Sequence, residues 1–196
     1  MTLPDSARVE LSDSFFPSAR GLNGNGDSVP ATFFWSSLDT AFIVVLDSAT
    51  GVSLGKQLGS GRLQARVEEL RTSPQSVRVI PRVASLAATG STRDTVFMPD
   101  SLSDSLAVQA LTTTPGSQAS GRLVVYSATV YPAADSTVTF VPNDSVSTNG
   151  SGIAVAQLRY VSGALPDSVV VTATMRRFDG TQVPGSPVTF VVEFRP

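Results

Sequence analysis

The chain has 196 residues, of which 41% are hydrophobic, and its 14 basic and 16 acidic residues give a net charge of −2. This length allows one or two domains, and the charge balance offers no basic footprint for nucleic acid. The sequence contains no histidine and no cysteine, which excludes Ser-His-Asp triads, cysteine nucleophiles and the usual zinc, haem and iron–sulfur sites. We therefore expect a protein that is not an enzyme and that holds no cofactor or metal.

The apolar runs and the amino terminus bear on cellular location. No stretch approaches the roughly 20 apolar residues of a membrane-spanning helix, and the longest apolar run, residues 41–46, has the length of a strand. Residues 1–6 have neither the basic region nor the apolar region of a secretory signal. We expect a mature or trimmed extracytoplasmic protein, periplasmic or at the cell surface; a cytoplasmic protein is the alternative.

Short β-strand patterns follow one another along the chain. Each is an alternation of apolar and polar residues or a short β-branched run, and no window has the spacing of an amphipathic helix. The predicted strands are 32–35, 42–46, 63–67, 76–80, 106–111, 123–130, 138–141, 153–160, 168–175 and 188–194. Turn sequences at 23–27, 142–144, 149–150 and 178–180 separate some of them. Strands at this spacing indicate an all-β sandwich or barrel.

A domain boundary is predicted near Pro81. A strand pattern ends at Ile80, proline cannot donate a hydrogen bond to a β-ladder, and a new pattern begins at Ser85. The boundary leaves residues 1–82 and residues 83–196, and both lengths are within the usual size range of a domain.

The first of these two regions combines a tryptophan motif with spaced glycines. Its characteristic residues are Trp35, Ser36, Ser37, Asp47, Thr50, Gly51, Val52, Gly55, Gly59, Gly61, Leu63, Ala65, Val77 and Val79. This set resembles the group 2 bacterial immunoglobulin-like domain of intimin- and invasin-type surface proteins. The resemblance implies that Trp35 fills the space between two sheets, and that residues 47–51 form a turn in which Gly51 supplies a positive φ.

The second region carries a different motif. Its characteristic residues are Gly121, Val124, Tyr126, Thr148, Asn149, Gly152, Ala154, Leu158, Gly163, Val169, Val171, Thr172, Ala173, Val188 and Phe190. They resemble the related group 1 bacterial immunoglobulin-like domain, although that family usually has aspartate where Asn149 stands. The two resemblances imply an all-β chain of two immunoglobulin-like β-sandwich domains in series. Residues 1–82 would be the group 2-like domain with an N-terminal arm, and residues 83–196 the group 1-like domain.

Alternation along the strands, with the register of the resembled families, predicts which residues form the core. Because neighbouring residues of a strand lie on opposite faces, an inward Trp35 requires an outward Phe34. The family register places Phe42 and the two alternate positions after it inward. The residues predicted to form the core are Trp35, Val44, Leu46, Val171, Ala173 and Phe190.

The same alternation leaves apolar residues on an outer face. Phe34, Ile43 and Val45 are predicted to point outward, where an immunoglobulin-like sandwich normally carries polar residues. We therefore interpret them as candidate partner-facing residues. Local cover by the amino-terminal segment around Phe15 and Phe16 is an equally weighted alternative.

Two further motifs contain the carboxylate and amide residues that occur in chemical sites. Glu68 and Glu69 are adjacent carboxylates, but on a strand they would face opposite ways and share no substrate. Residues 23–27 superficially resemble a calcium loop, yet they lack its alternating acids and its distal glutamate, so a hairpin turn is expected instead.

These observations predict a role in binding. We expect a non-catalytic extracytoplasmic structural or binding subunit that docks on a larger bacterial assembly, one form of which is a membrane-extrinsic subunit of a membrane protein complex. The partners would be proteins, with no nucleic acid and no membrane span of its own. The alternative is an adhesion or carbohydrate-binding fragment of a longer cell-surface protein.

Overall fold

The computed structural model describes residues 7–114, 117–132 and 135–196. By its internal contacts the chain divides into two compact units, Met1–Arg82 (unit 1) and Val83–Pro196 (unit 2). All regular elements in the described ranges are β-strands, and no helix there is suited to crossing a membrane. The predicted all-β fold class is therefore confirmed. The prediction made for residues 1–6 lies outside the described residues.

Unit 1 is built from short strands. They are β1 (Arg8–Glu10), β2 (Ser14–Phe15), β3 (Gly21–Leu22), β4 (Ser28–Val29), β5 (Phe34–Ser37), β6 (Ile43–Val45), β7 (Ser53–Gly55), β8 (Gly59–Val67), β9 (Leu70–Arg71) and β10 (Gln75–Ile80). One sheet has the order β1-β10-β8-β5, with β9 also paired to β8, and a second has the order β2-β7-β6. β3 and β4 form a separate hairpin. β1 runs parallel to β10, whereas β8 runs antiparallel to both β10 and β5.

Trp35 and the turn before β7 fit together in unit 1. Trp35 lies on β5 and is only 6% exposed. In the turn, the Gly51 N–H donates to the Asp47 carbonyl at 2.9 Å, and the Asp47 carboxylate accepts from the Ala49 N–H and the Thr50 hydroxyl, each at 2.8 Å. Gly51 has a φ of 80°, and a Cβ added there would lie 2.8 Å from the indole ring. The predicted turn is confirmed, and its glycine also makes room for the tryptophan.

The predicted inward and outward positions of β6 are reversed in the structure. Ile43, predicted to face outward, is fully buried, and Val45 packs against the same core. Val44 is half-buried, and Leu46, predicted to lie in the core, is 57% exposed.

The cause of this reversal is the point at which the strand begins. The N–H groups of Phe42 and Ile43 both donate to the Asp39 carbonyl, so Phe42 lies in a turn and β6 begins one residue later. Ile43 then fits against Gly61, where an added Cβ would lie 2.9 Å from the isoleucine side chain. Phe42 packs against the core from the turn.

Unit 2 has longer strands. They are β11 (Val83–Ala88), β12 (Arg93–Phe97), β13 (Leu106–Thr112), β14 (Leu123–Tyr131), β15 (Thr137–Val141), β16 (Ser145–Ser147), β17 (Ile153–Ser162), β18 (Ser168–Met175) and β19 (Val188–Arg195). One sheet has the order β11-β13-β17-β15, and the other has the order β12-β19-β18-β14-β16. Val171, Ala173 and Phe190 are buried in the cluster between them, with exposed fractions of 0%, 0% and 1%.

The strand order of unit 2 matches the immunoglobulin arrangement, in which strands A, B, E and D form one sheet and C, F and G the other. Unit 1 matches it apart from strand A, because its first strand, β1, pairs with β10 in the other sheet. In unit 2 these are β11, β13, β17 and β15 against β14, β18 and β19. In unit 1, β2, β7 and β6 stand for B, E and D, and β5, β8 and β10 for C, F and G. Trp35 thus lies on the C strand, where immunoglobulin domains carry their buried tryptophan.

The segment around Asn149 holds a tight turn in unit 2. The Asn149 side-chain oxygen accepts hydrogen bonds from the N–H groups of Ser151 and Ile153, at 2.9 and 3.0 Å. Gly152 has a φ of 72°, and a Cβ there would lie 2.5 Å from the Ala110 carbonyl oxygen. In both of these hydrogen bonds the side-chain oxygen of Asn149 is the acceptor, and a carboxylate also provides such an oxygen. Asparagine therefore fits a position where the resembled family has aspartate.

Candidate protein-binding surface

Of the three residues predicted to face a partner, Phe34 is the one that lies at the surface. It stands on β5, an edge strand, directly opposite Arg66 of β8, and it is 43% exposed. The guanidinium carbon of Arg66 lies 5.6 Å from the centre of the Phe34 ring, which is within cation–π range. Arg66 is in turn opposite Arg71 of β9. An aromatic ring and two arginines thus form one row across the sheet.

A depression of about 380 Å³ lies beside this row. Its polar lining includes Ser36, whose hydroxyl donates to the Gln64 carbonyl at 3.3 Å, and Gln64, whose side-chain amide donates to the Thr72 carbonyl at 2.8 Å. These bonds anchor the floor of the depression on β5 and β8. We call the outward residues Phe34, Ser36, Gln64, Arg66 and Arg71 the Phe34 surface.

The other two predicted partner-facing residues do not belong to this surface. Ile43 is fully buried, and Val45 contributes to the core. The predicted alternative, local cover around Phe15, also differs from the structure: Phe15 packs against the core and Phe16 is 72% exposed. Neither Phe15 nor Phe16 covers Phe34, which remains exposed.

An apolar cleft that the sequence analysis missed lies close to Arg71. Leu22 and Val29 of the β3–β4 hairpin line it together with Phe33 and Leu70, and its volume is about 260 Å³. Leu22 is 61% and Leu70 is 77% exposed. Because Arg71 lines both this cleft and the depression beside Phe34, the two features are contiguous. The sequence feature that could have predicted this cleft is the pair of apolar residues Leu22 and Val29 on either side of the turn at 23–27.

Electrostatic pairing distinguishes Arg62 from the other outward arginine of β8. The Arg62 Nε lies 2.8 Å and its Nη2 3.0 Å from the two carboxylate oxygens of Asp39. The hydrogen bond from the Arg62 side chain, reinforced by its charge, holds the pKa of Asp39 below its ordinary value. Arg62 is thereby held in an ion pair, while Arg66 lies beside the Phe34 ring.

Residues 23–27 and the adjacent pair Glu68 and Glu69 both lie in turns. The Asn23 side-chain oxygen accepts from the N–H groups of Asn25 and Asp27, each at 2.9 Å, which confirms the predicted hairpin. Glu68 and Glu69 lie in the turn between β8 and β9 rather than on a strand. Within the described residues, no three acidic, histidine or cysteine side chains are grouped so as to hold a metal ion.

Comparison with known proteins yields similar folds. No family model and no curated protein sequence matches the chain. Among solved structures, the Yersinia pseudotuberculosis adhesin InvE is 17% identical with a TM-score of 0.46, and the match covers 97% of this chain and 56% of that one. The fibronectin(III)-like modules of Clostridium thermocellum CbhA are 10% identical (TM-score 0.44, covering 97% and 90%). Domains 4 and 5 of the S-layer protein SbsC are 15% identical (TM-score 0.39, covering 91% and 80%). At this level a likeness carries no conclusion about function.

Proposed function

We propose that this chain is a non-catalytic, protein-binding part of a bacterial cell-surface protein of the adhesin kind, located outside the cytoplasm. Unit 1 is a group 2-type and unit 2 a group 1-type immunoglobulin-like module. The observation that carries the proposal is the Phe34 surface, where an exposed aromatic ring and two arginines occupy a face on which such sandwiches normally carry small polar residues.

The chemistry of the Phe34 surface favours a protein partner. Aromatic residues and arginine are enriched in the centres of protein interfaces, where lysine and the acids are depleted. Phe34 offers a flat apolar group, and Arg66 offers a planar fork of donors suited to carbonyl and carboxylate oxygens. The depression beside them gives a partner side chain a place to insert. This combination is typical of interface anchor residues.

The extent of the surface favours reversible binding over permanent docking. Obligate subunits, including a membrane-extrinsic subunit of a membrane complex, bury about 2,000 to 5,000 Å² of largely hydrophobic surface. On the Phe34 surface the large apolar side chain is Phe34 itself, and its neighbours are serine, glutamine and arginine. The contiguous cleft adds the exposed Leu22 and Leu70, so the apolar area is confined to a few side chains. A reversible adhesion contact needs only about 1,600 Å². We therefore place the adhesin function ahead of the docked subunit.

The test is attachment of beads coated with the full chain to a panel of intact epithelial and bacterial cells. The wild-type chain is expected to attach, and Phe34→Asp is expected to reduce attachment at least about tenfold, which corresponds to 1.4 kcal/mol of binding free energy. Trypsin treatment of the cells should abolish attachment, because the partner is a protein. Leu58→Asp is the matched control, since Leu58 is similarly exposed, at 39%, but stands at the opposite end of β8 from Arg66.

Three outcomes would contradict the proposal. Attachment that Phe34→Asp leaves unchanged would remove the Phe34 surface from the interaction. Attachment that survives trypsin and is competed by free glycans would favour the carbohydrate-binding alternative. Failure to attach, together with co-purification of the chain with a mildly solubilised membrane complex, would favour the docked subunit. Circular dichroism of each variant establishes that it is folded.

A further inference from the structure

Unit 2 carries a groove of its own, and none of the residues that line it belongs to the Phe34 surface. The groove has a volume of about 600 Å³ and lies at the end of the sheet where β14 begins and β18 ends. Its apolar lining consists of Leu123 and Val125 on β14 and of Phe178, three residues beyond the end of β18. Their exposed fractions are 54%, 42% and 54%. Three large apolar side chains are thus accessible in one recess.

A stacked pair holds one wall of the groove. Arg122 is only 7% exposed, and its guanidinium carbon lies 4.6 Å from the centre of the Phe178 ring. This is closer than the 5.6 Å between Arg66 and Phe34 in unit 1. The backbone N–H of Arg122 donates to the Thr148 hydroxyl at 2.9 Å, which ties this strand end to the turn containing Asn149. Phe178 is therefore positioned by a buried arginine.

Two further arginines line the groove. Arg177 donates to the Val83 carbonyl through Nε at 3.1 Å and Nη2 at 3.0 Å, which fixes the base of the turn. Arg176 is exposed, and its Nη1 donates to the Gly180 carbonyl at 3.0 Å. Because a carbonyl oxygen carries no net charge, this hydrogen bond does not neutralise the positive charge of the Arg176 guanidinium at the mouth of the groove.

The charge of the groove is opposite to that of the rest of unit 2. Residues 83–196 contain six arginines, no lysine and eight carboxylate residues, a net charge of −2. Three of the six arginines line the groove, and Asp179 lies in the turn directly after Phe178, so this region carries a net charge of +2. The remainder of the unit carries three arginines against seven carboxylates, a net charge of −4. Among the described residues of the groove lining, none is acidic. A positive recess on an acidic module concentrates anionic ligands at that recess.

We propose that this groove binds an acidic peptide segment of a partner protein that also carries an apolar or aromatic side chain. The peptide carboxylates pair with the guanidinium of Arg176, and the apolar side chain rests on Leu123, Val125 and Phe178. The apolar lining favours a peptide over an acidic polysaccharide, which has no side chain to fill it. This second site goes beyond the proposed function and does not depend on the Phe34 surface.

The test uses a short fluorescein-labelled peptide in which glutamate alternates with phenylalanine and leucine, and fluorescence anisotropy with the full chain as titrant. We expect saturable binding that weakens as salt is added. Arg176→Glu and Leu123→Ser should each raise the Kd at least about tenfold, equivalent to 1.4 kcal/mol. The control Arg159→Glu makes the same charge change on the outer face of β17, in the other sheet, and should leave the Kd unchanged.

Other results would overturn the inference. An equal loss of binding in Arg159→Glu would mean that net charge, not the groove, attracts the peptide. Displacement of the peptide by polyglutamate or polygalacturonate as effectively as by unlabelled peptide would make this a general polyanion site, and absence of saturable binding would remove the site. Phe34→Asp should leave the peptide Kd unchanged, so the failure of either proposal can be told apart from the failure of the other. Circular dichroism again establishes that the variants are folded.

Discussion

The two units have similar strand orders, but most strands of unit 1 are shorter than the corresponding strands of unit 2. In unit 1, β8 lies between β10 and β5, and in unit 2, β18 lies between β19 and β14. Each unit also has an early strand running parallel to its last strand. In the opposite sheet, however, β2, β7 and β6 have two or three residues, whereas β13, β17 and β15 have seven, ten and five.

Shorter strands leave unit 1 with a smaller core. Five buried hydrophobic residues form its cluster in the described chain, against twenty in unit 2. Since burial of apolar surface is the dominant favourable term in folding, unit 1 is expected to unfold at lower denaturant concentration. Leu22 and Leu70, which lie on the two-residue strands β3 and β9, are both exposed to solvent. The comparison shows how one strand order can yield a small core in one unit and a large core in the other.

The largest effect is expected at Trp35, the buried tryptophan of unit 1. Trp35→Ala removes the indole that packs on Gly51, and the cavity should cost unit 1 about 3–5 kcal/mol of unfolding free energy. Unit 2, with its own core, should keep its transition. Urea unfolding of the full chain followed by far-UV circular dichroism measures both. Trp35→Phe, which retains part of the ring, is the control and should cost less. A Trp35→Ala midpoint equal to that of the wild type would show that the tryptophan does not hold the two sheets together.

A smaller effect is expected from a polar group in the larger core. Tyr126 is 2% exposed, and its hydroxyl lies 3.1 Å from the carbonyl oxygens of both Leu106 and Ala154. Tyr126→Phe keeps the ring but removes the donor, so unit 2 should lose about 1 kcal/mol while unit 1 is unaffected. An identical loss in both units would contradict the separation of their cores.

The pH dependence of the same variant sharpens this test. Burial raises the pKa of Tyr126 in the folded state. A raised folded pKa contributes stability below the unfolded value, about 10 for tyrosine, and that contribution is lost as pH rises above it. Melting temperatures between about pH 8 and 11 should therefore fall more steeply for the wild type than for Tyr126→Phe. Parallel curves would mean that Tyr126 ionises as readily in the folded chain as in the unfolded one.

How much the sequence could predict depended on strand length. Long alternating segments define their own bounds, and the pattern over residues 168–175 coincides with β18 (Ser168–Met175). On the three-residue strand β6, a single turn residue reverses every side chain: Phe42 belongs to the turn, and so Ile43 faces inward. Hydrophobicity alone cannot distinguish these two registers, because both faces of the segment are apolar.

The binding surfaces were only partly predictable for a related reason. Alternation along β5 correctly placed Phe34 outward, since this needs only the position of Trp35. The row formed with Arg66 and Arg71 depends on cross-strand register, which sequence alternation in one strand does not contain. The unit 2 groove depends on the stacking of Arg122 on Phe178, residues that are 56 positions apart in the chain. Tertiary structure is needed to bring such residues together.

The smallest expected effect concerns the ion pair of unit 1. The hydrogen bond from Arg62 lowers the pKa of Asp39, so the pair contributes stability above the unfolded aspartate value, about 4, and loses it as pH falls through the folded pKa. Asp39→Asn should therefore lower the melting temperature of unit 1 slightly at pH 7, and the difference from wild type should shrink towards about pH 2. Added salt should shrink it too, because the pair is solvent-exposed. Glu69→Gln removes a carboxylate from an exposed turn of the same unit and serves as the control. A difference that widens on acidification would mean that Asp39 is more readily protonated in the folded chain, which the bidentate contact with Arg62 opposes.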